Sequence, residues 1–238
     1  FDTGALIVAP ALRSMGVRQI TWLVISHPHH DHMAGVPFLV KHFQPLELWV
    51  PTAGYPDPFL KKLIHGARLQ GLRVRSPVQG ETPLHVDGVL VEIVSPEPGQ
   101  ATAARTYHEL NDSSLVMKIS YGAHAFLLTG DIGMHQEHSL LKRPVDLSAQ
   151  VLKVPHHGKR GSSTSAFLDA VNPDSAIFSC RPYAGRDIPG NVLSRYRDRG
   201  VHVLRTDRHG AIHMTSDGTR FETYTFMPHR EFMPYAPP

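Results

Sequence analysis

A single cysteine, Cys180, in 238 residues leaves no partner for an internal disulfide and gives no indication of redox compartment. No apolar run approaches the roughly 20 residues that a membrane-crossing helix needs, and no signal peptide can be read. The chain therefore reads as a soluble piece, compatible with a longer membrane-bound parent. Repeats and low-complexity blocks are missing as well. With 41% hydrophobic and 19% charged residues the composition is that of an ordinary globular chain, long enough for one large α/β domain. That domain is expected to run over residues 1–226. Met227 to Pro238 reads as a Pro-rich extended tail. The opening Phe1-Asp2-Thr3-Gly4 has no initiator Met and resembles a strand end entering a turn, so the chain is expected to begin inside a domain, with its first strands missing.

Histidine, in contrast, is abundant: 17 residues, with a net charge of +3 when they are neutral. Basic residues thicken toward the second half, at Lys153, Lys159, Arg160, Arg181, Arg186, Arg195, Arg197, Arg199, Arg205 and Arg208. A scattered, solvated surface explains most such distributions; a polyanionic partner is permitted by this one.

Short β-rich runs alternate with amphipathic stretches of about ten residues, the pattern of a layered α/β domain. Thr21 to Ser26, Leu46 to Val50, Leu72 to Arg75, Val89 to Val94, Leu115 to Ile119, Ala125 to Leu128 and Gln150 to Val154 read as strands. So do Ala176 to Ser179, Val201 to Leu204, Ala211 to Met214 and Phe221 to Phe226. Asp57-Pro58 supplies an N-cap and a first-turn proline for a helix through about Gln70. Further helices are expected near Gly133 to Leu141, from a Ser162 or Ser163 cap to about Ala170, and from Asn191 to Arg199.

The chemistry is concentrated directly after the first of these strands, in His27-Pro28-His29-His30-Asp31-His32. In an extended or tightly turning loop, His27 and His29 at i,i+2 point the same way and offer two imidazoles to one cation. Asp31 and His32 turn toward a second position, so the run reads as a binuclear site. Two neighbouring cations repel and need an anionic bridge. Asp131 suits that role, at the end of the strand-like Phe126-Leu127-Leu128 and beside Gly130, where the backbone turns closely. His156 or His157, again just past a strand end, supplies a further imidazole, and spacing alone does not choose between them. The histidines at His65, His108, His124, His135, His138, His202, His213 and His229 read as ordinary surface or core residues.

On these residues the chain resembles the metallo-β-lactamase superfamily. The run at 27–32 matches its His-x-His-x-Asp-His signature, Asp2-Thr3-Gly4 its first Asp motif, and Thr129-Gly130-Asp131 its later one. More narrowly, Asn111-Asp112-Ser113-Ser114-Leu115-Val116, Phe126 to Asp131, Leu152 to Gly158 and Arg205-Thr206-Asp207 with Gly210-Ala211 resemble the C-terminal domain of competence proteins of the ComEC family. Two departures stand out. Where the family pattern has His-Pro, this chain has Ile188-Pro189 after Asp187, and Lys159 stands where a serine usually follows His-His-Gly.

The resemblance implies an αββα sandwich of two mixed sheets with helices outside. It also implies hydrolysis of DNA phosphodiesters by water activated at two divalent ions, manganese or zinc, with the family leaning to manganese. His27, His29, Asp31, His32, Asp131 and His157 are the expected ligands; Asp31 and His156 are the expected catalytic pair, His156 binding the scissile phosphate or protonating the leaving oxygen. Asp2 and Asn111 would stand behind the ligands, Asp2 fixing an imidazole tautomer. Lys159, Arg160 and Ser162 at a helix N-terminus would hold flanking phosphates. The expected partner is DNA, single-stranded and gripped by its backbone, with no base-reading module and no nucleotide cofactor. The channel part of the same parent protein is a second expected partner. The expected location is the periplasmic or extracellular side of a bacterial multipass inner-membrane protein. A small-molecule phosphodiesterase, such as the phosphorylcholine esterases, and a catalytically weak DNA-guiding module are the competing readings.

Overall fold

The computed structural model describes residues 2–51, 57–99, 106–180 and 188–226, together with the strand Met233–Pro234. Arg181, Arg186, Asp187, His229 and the tail apart from that strand lie outside the described residues. The chain divides into two compact units, Phe1–Gly80 with Ser95–Leu115, and Glu81–Val94 with Val116–Pro238.

The first unit is built on a parallel sheet in the order β1 (Trp22–Val24), β2 (Glu47–Trp49), β3 (Arg73–Arg75). A π-helical turn, Gly4–Val8, runs straight into helix α1 (Ala9–Ser14). Gly4 and Gly35 are both obligatory here, because a Cβ on Gly4 would lie 2.2 Å from the Gly35 oxygen. Three helices along this unit escape sequence reading: α2 (His30–Met33), α3 (Val36–Phe43) and α5 (Tyr107–Asp112). The expected helix α4 (Pro58–Leu69) is present, its Leu60 amide donating to Asp57 Oδ1 at 2.7 Å. Leu60, Leu63, Ile64 and Ala67, at helical spacing, bury one face of α4 in a cluster with Ile25, Val36, Val40, Leu48 and Val50.

The second unit holds a seven-stranded mixed sheet in the order β10-β9-β8-β7-β6-β5-β4. Its strands are β4 (Leu84–Val86), β5 (Val89–Ser95), β6 (Val116–Tyr121), β7 (His124–Leu128), β8 (Val151–Lys153), β9 (Ser175–Phe178) and β10 (His202–Arg205). Strands β11 (Ile212–Ser216), β12 (Phe221–Thr225) and β13 (Met233–Pro234) make a separate antiparallel sheet. Helices α6 (Met134–Leu141), α7 (Ser165–Val171) and α8 (Gly190–Arg197) bury Leu140, Phe167, Leu168, Val192 and Tyr196 with Leu127, Leu152 and Phe178 in one core. A last turn of helix, α9 (Thr206–His209), follows β10.

Strands β7, β8, β9 and β10 are mutually parallel, so their C-terminal ends share one edge of the sheet. In parallel α/β sheets that edge is where chemistry gathers. Asp131, His156 with His157, Ser179 and Thr206 are the residues that follow those four ends. The α7 cap is a correction to the sequence reading: Thr164, not Ser162 or Ser163, accepts from the Phe167 amide, because Ser162 is buried and turned inward.

Candidate metal centre

In the first unit, β1 delivers the chain through Ile25, whose amide donates to the Trp49 carbonyl, into Ser26 and His27. His29 is extended (φ -86°, ψ 149°) and starts α2, so the run is not a simple loop: His30, Asp31 and His32 lie within a helical turn. This geometry folds the imidazoles of His29 and His32 back against His27, at ring-centroid separations of 4.7 and 4.1 Å. His27 is fully buried. Ser26 Oγ lies 3.2 Å from His27 Nδ1 and 3.1 Å from His32 Nδ1, and a hydroxyl oxygen has two lone pairs with which to accept from both rings. Ser26 thus meets the Nδ1 edge of both rings. Sequence reading missed Ser26; its only signal is its place immediately before the histidine run. Asp31 Oδ2 lies 3.8 Å from His32 Nε2.

The same unit holds both residues expected behind the ligands. Asn111 is buried near the end of α5, and the Leu115 amide just beyond it donates to the Ser26 carbonyl at 2.7 Å. The Asn111 to Leu115 motif thus abuts the residue that orients His27 and His32. Asp2, expected to hold an imidazole, accepts from the Ala5 amide through Oδ1 at 3.0 Å, where the amides of a helix start attract a carboxylate.

In the second unit, β7 ends in Thr129-Gly130-Asp131. Thr129 Oγ1 donates to the Lys153 carbonyl at 2.7 Å, Gly130 takes φ +55°, and Asp131 is buried. After β8, His156 (φ 48°) and His157 (φ 56°) both occupy the left-handed region, which is costly for residues with a Cβ. Gly158 closes the turn at φ +82°, where a Cβ would lie 2.6 Å from the Phe178 ring. This tight path presents two imidazoles to one carboxylate: His157 Nε2 stands 3.4 Å and His156 Nε2 3.8 Å from Asp131 Oδ2.

The two histidines are held differently. His157 Nδ1 lies 2.7 Å from the Ser179 carbonyl, which can only accept, so Nδ1 carries the proton. His156 Nε2 accepts from Lys159 Nζ at 2.8 Å. Lys159 and Arg160 are exposed, whereas Ser162 donates to the carbonyls of Pro155 and Lys159 and faces the interior. Glu137 braces the same loop, accepting from the Ser163 and Thr164 amides at 2.5 and 2.8 Å, while Arg195 donates to the Ser162 and Ser163 carbonyls. Burial pushes the Glu137 carboxyl above its ordinary value despite those amides, and burial pulls the Lys153 ammonium down, against the opposing pull of Asp131. Ile188 is buried in the core beside Gly158.

The donor chemistry of each unit suits a divalent cation. The first offers imidazoles and a carboxylate from one short run. In the second, an imidazole nitrogen with its lone pair outward faces a carboxylate oxygen at 3.4 Å. That is about the separation of two ligands on one tetrahedral cation, roughly 3.3 Å for bonds of about 2.0–2.1 Å.

Residues 1–180 match the family described as "Metallo-beta-lactamase superfamily". "ComE operon protein 3" of Bacillus subtilis (strain 168) is 29% identical over 213 residues, covering 89% of this chain and 26% of that protein. "Competence protein ComA" of Neisseria gonorrhoeae is 32% identical over 223 residues, covering 89% and 28% respectively. The chain thus spans about a quarter of the length of these relatives. Among solved structures, CmlA, a diiron beta-hydroxylase from Streptomyces venezuelae, aligns with a TM-score of 0.51 at 18% identity over 79% of this chain and 44% of that one, a likeness of fold. Among the described residues no helix is long and apolar enough to cross a membrane.

Proposed function

The chain belongs to the metallo-beta-lactamase superfamily, and from that premise we propose that it is a metal-dependent phosphodiesterase that cuts DNA during competence. The fold marks a metal-dependent hydrolase in general terms, and relatives named for competence support a competence-related role. The observation that carries the metal reading is the pairing at Asp131: a proton-bearing Nδ1 on His157 is tied to Ser179, and its Nε2 is aimed at a buried carboxylate.

His27, His29, Asp31 and His32 from the signature run, with Asp131 and His157, would hold two divalent ions, manganese or zinc, since the nitrogen and oxygen donors suit both. When bound, such a pair lowers the pKa of water and neutralises charge on the attacking and leaving oxygens of a phosphodiester. Ser26 orients His27 and His32 by their Nδ1 edges, and the Ser179 carbonyl does the same for His157. The engagement of His156 with Lys159 supports His157, rather than its neighbour, as the ligand. It leaves the His156–Lys159 pair to bind the scissile phosphate and to hand a proton to the leaving oxygen. Arg160 and Lys159, both exposed, would meet flanking phosphates. Such contacts read a backbone rather than bases, in keeping with a single strand of DNA delivered to the domain. The remaining length of the relatives leaves room for a membrane channel in the parent protein, with this domain on the outer side of the inner membrane.

Ile188 favours one alternative. Buried where the resemblance expects a histidine, it is consistent with a catalytically weak module that guides DNA. The experiment is cleavage of end-labelled single- and double-stranded DNA and of bis-p-nitrophenyl phosphate, with manganese, zinc, magnesium or chelator, beside His32→Ala. Metal-dependent cutting of DNA, lost in the variant, is expected. Turnover of the small diester with DNA left intact would replace DNA by a small substrate. Metal-independent DNA binding without any hydrolysis would favour the guiding module.

A further inference from the structure

The motif Arg205-Thr206-Asp207 has no part in the proposed ligand set, yet its side chains converge on the segment that carries the Ser179 carbonyl. Strand β10 ends at Arg205, paired with Phe178 at the end of β9. Thr206 Oγ1 accepts from the Cys180 amide at 2.8 Å and can donate to the Cys180 carbonyl at 2.7 Å or the Phe178 carbonyl at 3.3 Å. Asp207 accepts from Cys180 Sγ at 3.1 Å and is itself held by Arg205 through Nε at 2.9 Å and a second guanidinium nitrogen at 2.6 Å. Arg205 is buried. The Ser179–Cys180 peptide unit is thus held through its N–H by a side chain of the neighbouring strand end. The Ser179 carbonyl, in the same peptide unit as the Cys180 amide held by Thr206, accepts from His157 Nδ1.

We propose that Thr206 is a positioning residue for His157, acting through Phe178–Cys180 and the Ser179 carbonyl to select the imidazole tautomer that turns a bare Nε2 toward Asp131. The assignment rests on the reading of His157 as a metal ligand. The physical need is specific. His157 sits in a left-handed backbone conformation, and an imidazole can flip or exchange tautomers unless its other nitrogen has a fixed acceptor. Groups that orient a ligand imidazole in this way are generally worth a factor of about 10–100 in metal affinity. Ser179 contributes only its main chain, so the side-chain dependence passes to Thr206.

The test compares wild type, Thr206→Val, which keeps the shape and removes the hydroxyl, and Thr206→Ser, which keeps the hydroxyl. Three readouts are taken on the full chain: titration calorimetry with manganese or zinc chloride, the histidine ring ¹⁵N spectrum of the metal-free protein at pH 8, and the urea midpoint. The His157 signals are assigned by their loss in His157→Gln. Wild type is expected to show a single Nδ1–H tautomer at His157. Thr206→Val is expected to show a tautomer mixture and a 10- to 100-fold weaker cation affinity, and Thr206→Ser to restore both. An unchanged tautomer and affinity in Thr206→Val would overturn the proposal. Equal losses in both variants that track the urea midpoint would also overturn it, because the hydroxyl would then serve folding alone. If wild type takes up neither cation, the metal reading fails by itself, and the tautomer comparison still decides the role of Thr206.

Discussion

His157 Nε2 faces Asp131 Oδ2 at 3.4 Å, with the other ring nitrogen committed as a donor to Ser179. A lone pair and a buried carboxylate oppose each other across a gap that a cation or a proton would relieve. Asp131→Asn puts an amide donor opposite Nε2, so the metal-free variant is expected to unfold at the wild-type temperature or above it. The same change removes the anionic ligand. Saturating manganese or zinc, which at about 100 times Kd should stabilise wild type by about 2.7 kcal/mol per site, is expected to raise the variant's melting temperature by less than that of wild type. Thermal unfolding with and without cation checks both halves, and cation-induced stabilisation of the variant equal to that of wild type would contradict the role given to Asp131.

Gly158→Ala should be among the most damaging single-methyl changes in the chain. Its φ of +82° penalises any Cβ, and the new methyl would lie 2.6 Å from the Phe178 ring. Together these should cost about 2–4 kcal/mol, read from urea unfolding, and move His157 as well. A loss below about 1 kcal/mol would mean that the turn relaxes freely.

The sites that sequence reading reached and those it missed differ in physical kind. The histidine run, Asp131 and the His156–His157 pair were legible because each follows an apolar run that reads as a strand, and strand ends on a rigid sheet are where ligands are presented. Ser26, the Ser179 carbonyl and Thr206 were not. Their roles come from tertiary contacts, and a main-chain oxygen leaves no trace in residue type. Helix α2 went unread because its four residues, His30–Met33, carry no periodic apolar pattern. For Asp2, an imidazole partner by resemblance, the bond from the Ala5 amide to Oδ1 is a tertiary detail that residue type does not show. For Ser162 and Ser163, composition gave the cap one or two residues early, since burial of Ser162 was invisible to it.

Acid should weaken the fold partly through Asp146. Its hydrogen bond from Lys118, at 2.5 Å, and then those from Ser148 hold its carboxyl down at about 2, against an ordinary value of 3.8. A depressed folded value means that this stabilisation is present above about pH 4 and is lost as pH falls toward 2. Because Asp146 is largely exposed, solvent screening limits the effect to about 1 kcal/mol. Asp146→Asn is therefore expected to lose about that much at pH 7 and to flatten the stability profile between pH 4 and 2. Parallel wild-type and variant profiles there would contradict the assignment.

Lys159→Ala tests the phosphate contact. If Lys159 meets one backbone phosphate, the variant should bind single-stranded DNA more weakly whatever its sequence. The slope of log affinity against log salt should shrink by about 0.7. Fluorescence anisotropy across a salt series measures it, and an unchanged slope would remove Lys159 from the interface.

The central claim, a two-cation centre built from the signature run with Asp131 and His157, is tested most directly by counting cations on the intact chain. Native mass spectrometry of the metal-free protein reloaded with manganese or zinc should find two ions per chain in wild type, and fewer in both His32→Ala and Asp131→Asn. No retained cation in folded wild type, or the same count in all three proteins, would contradict it.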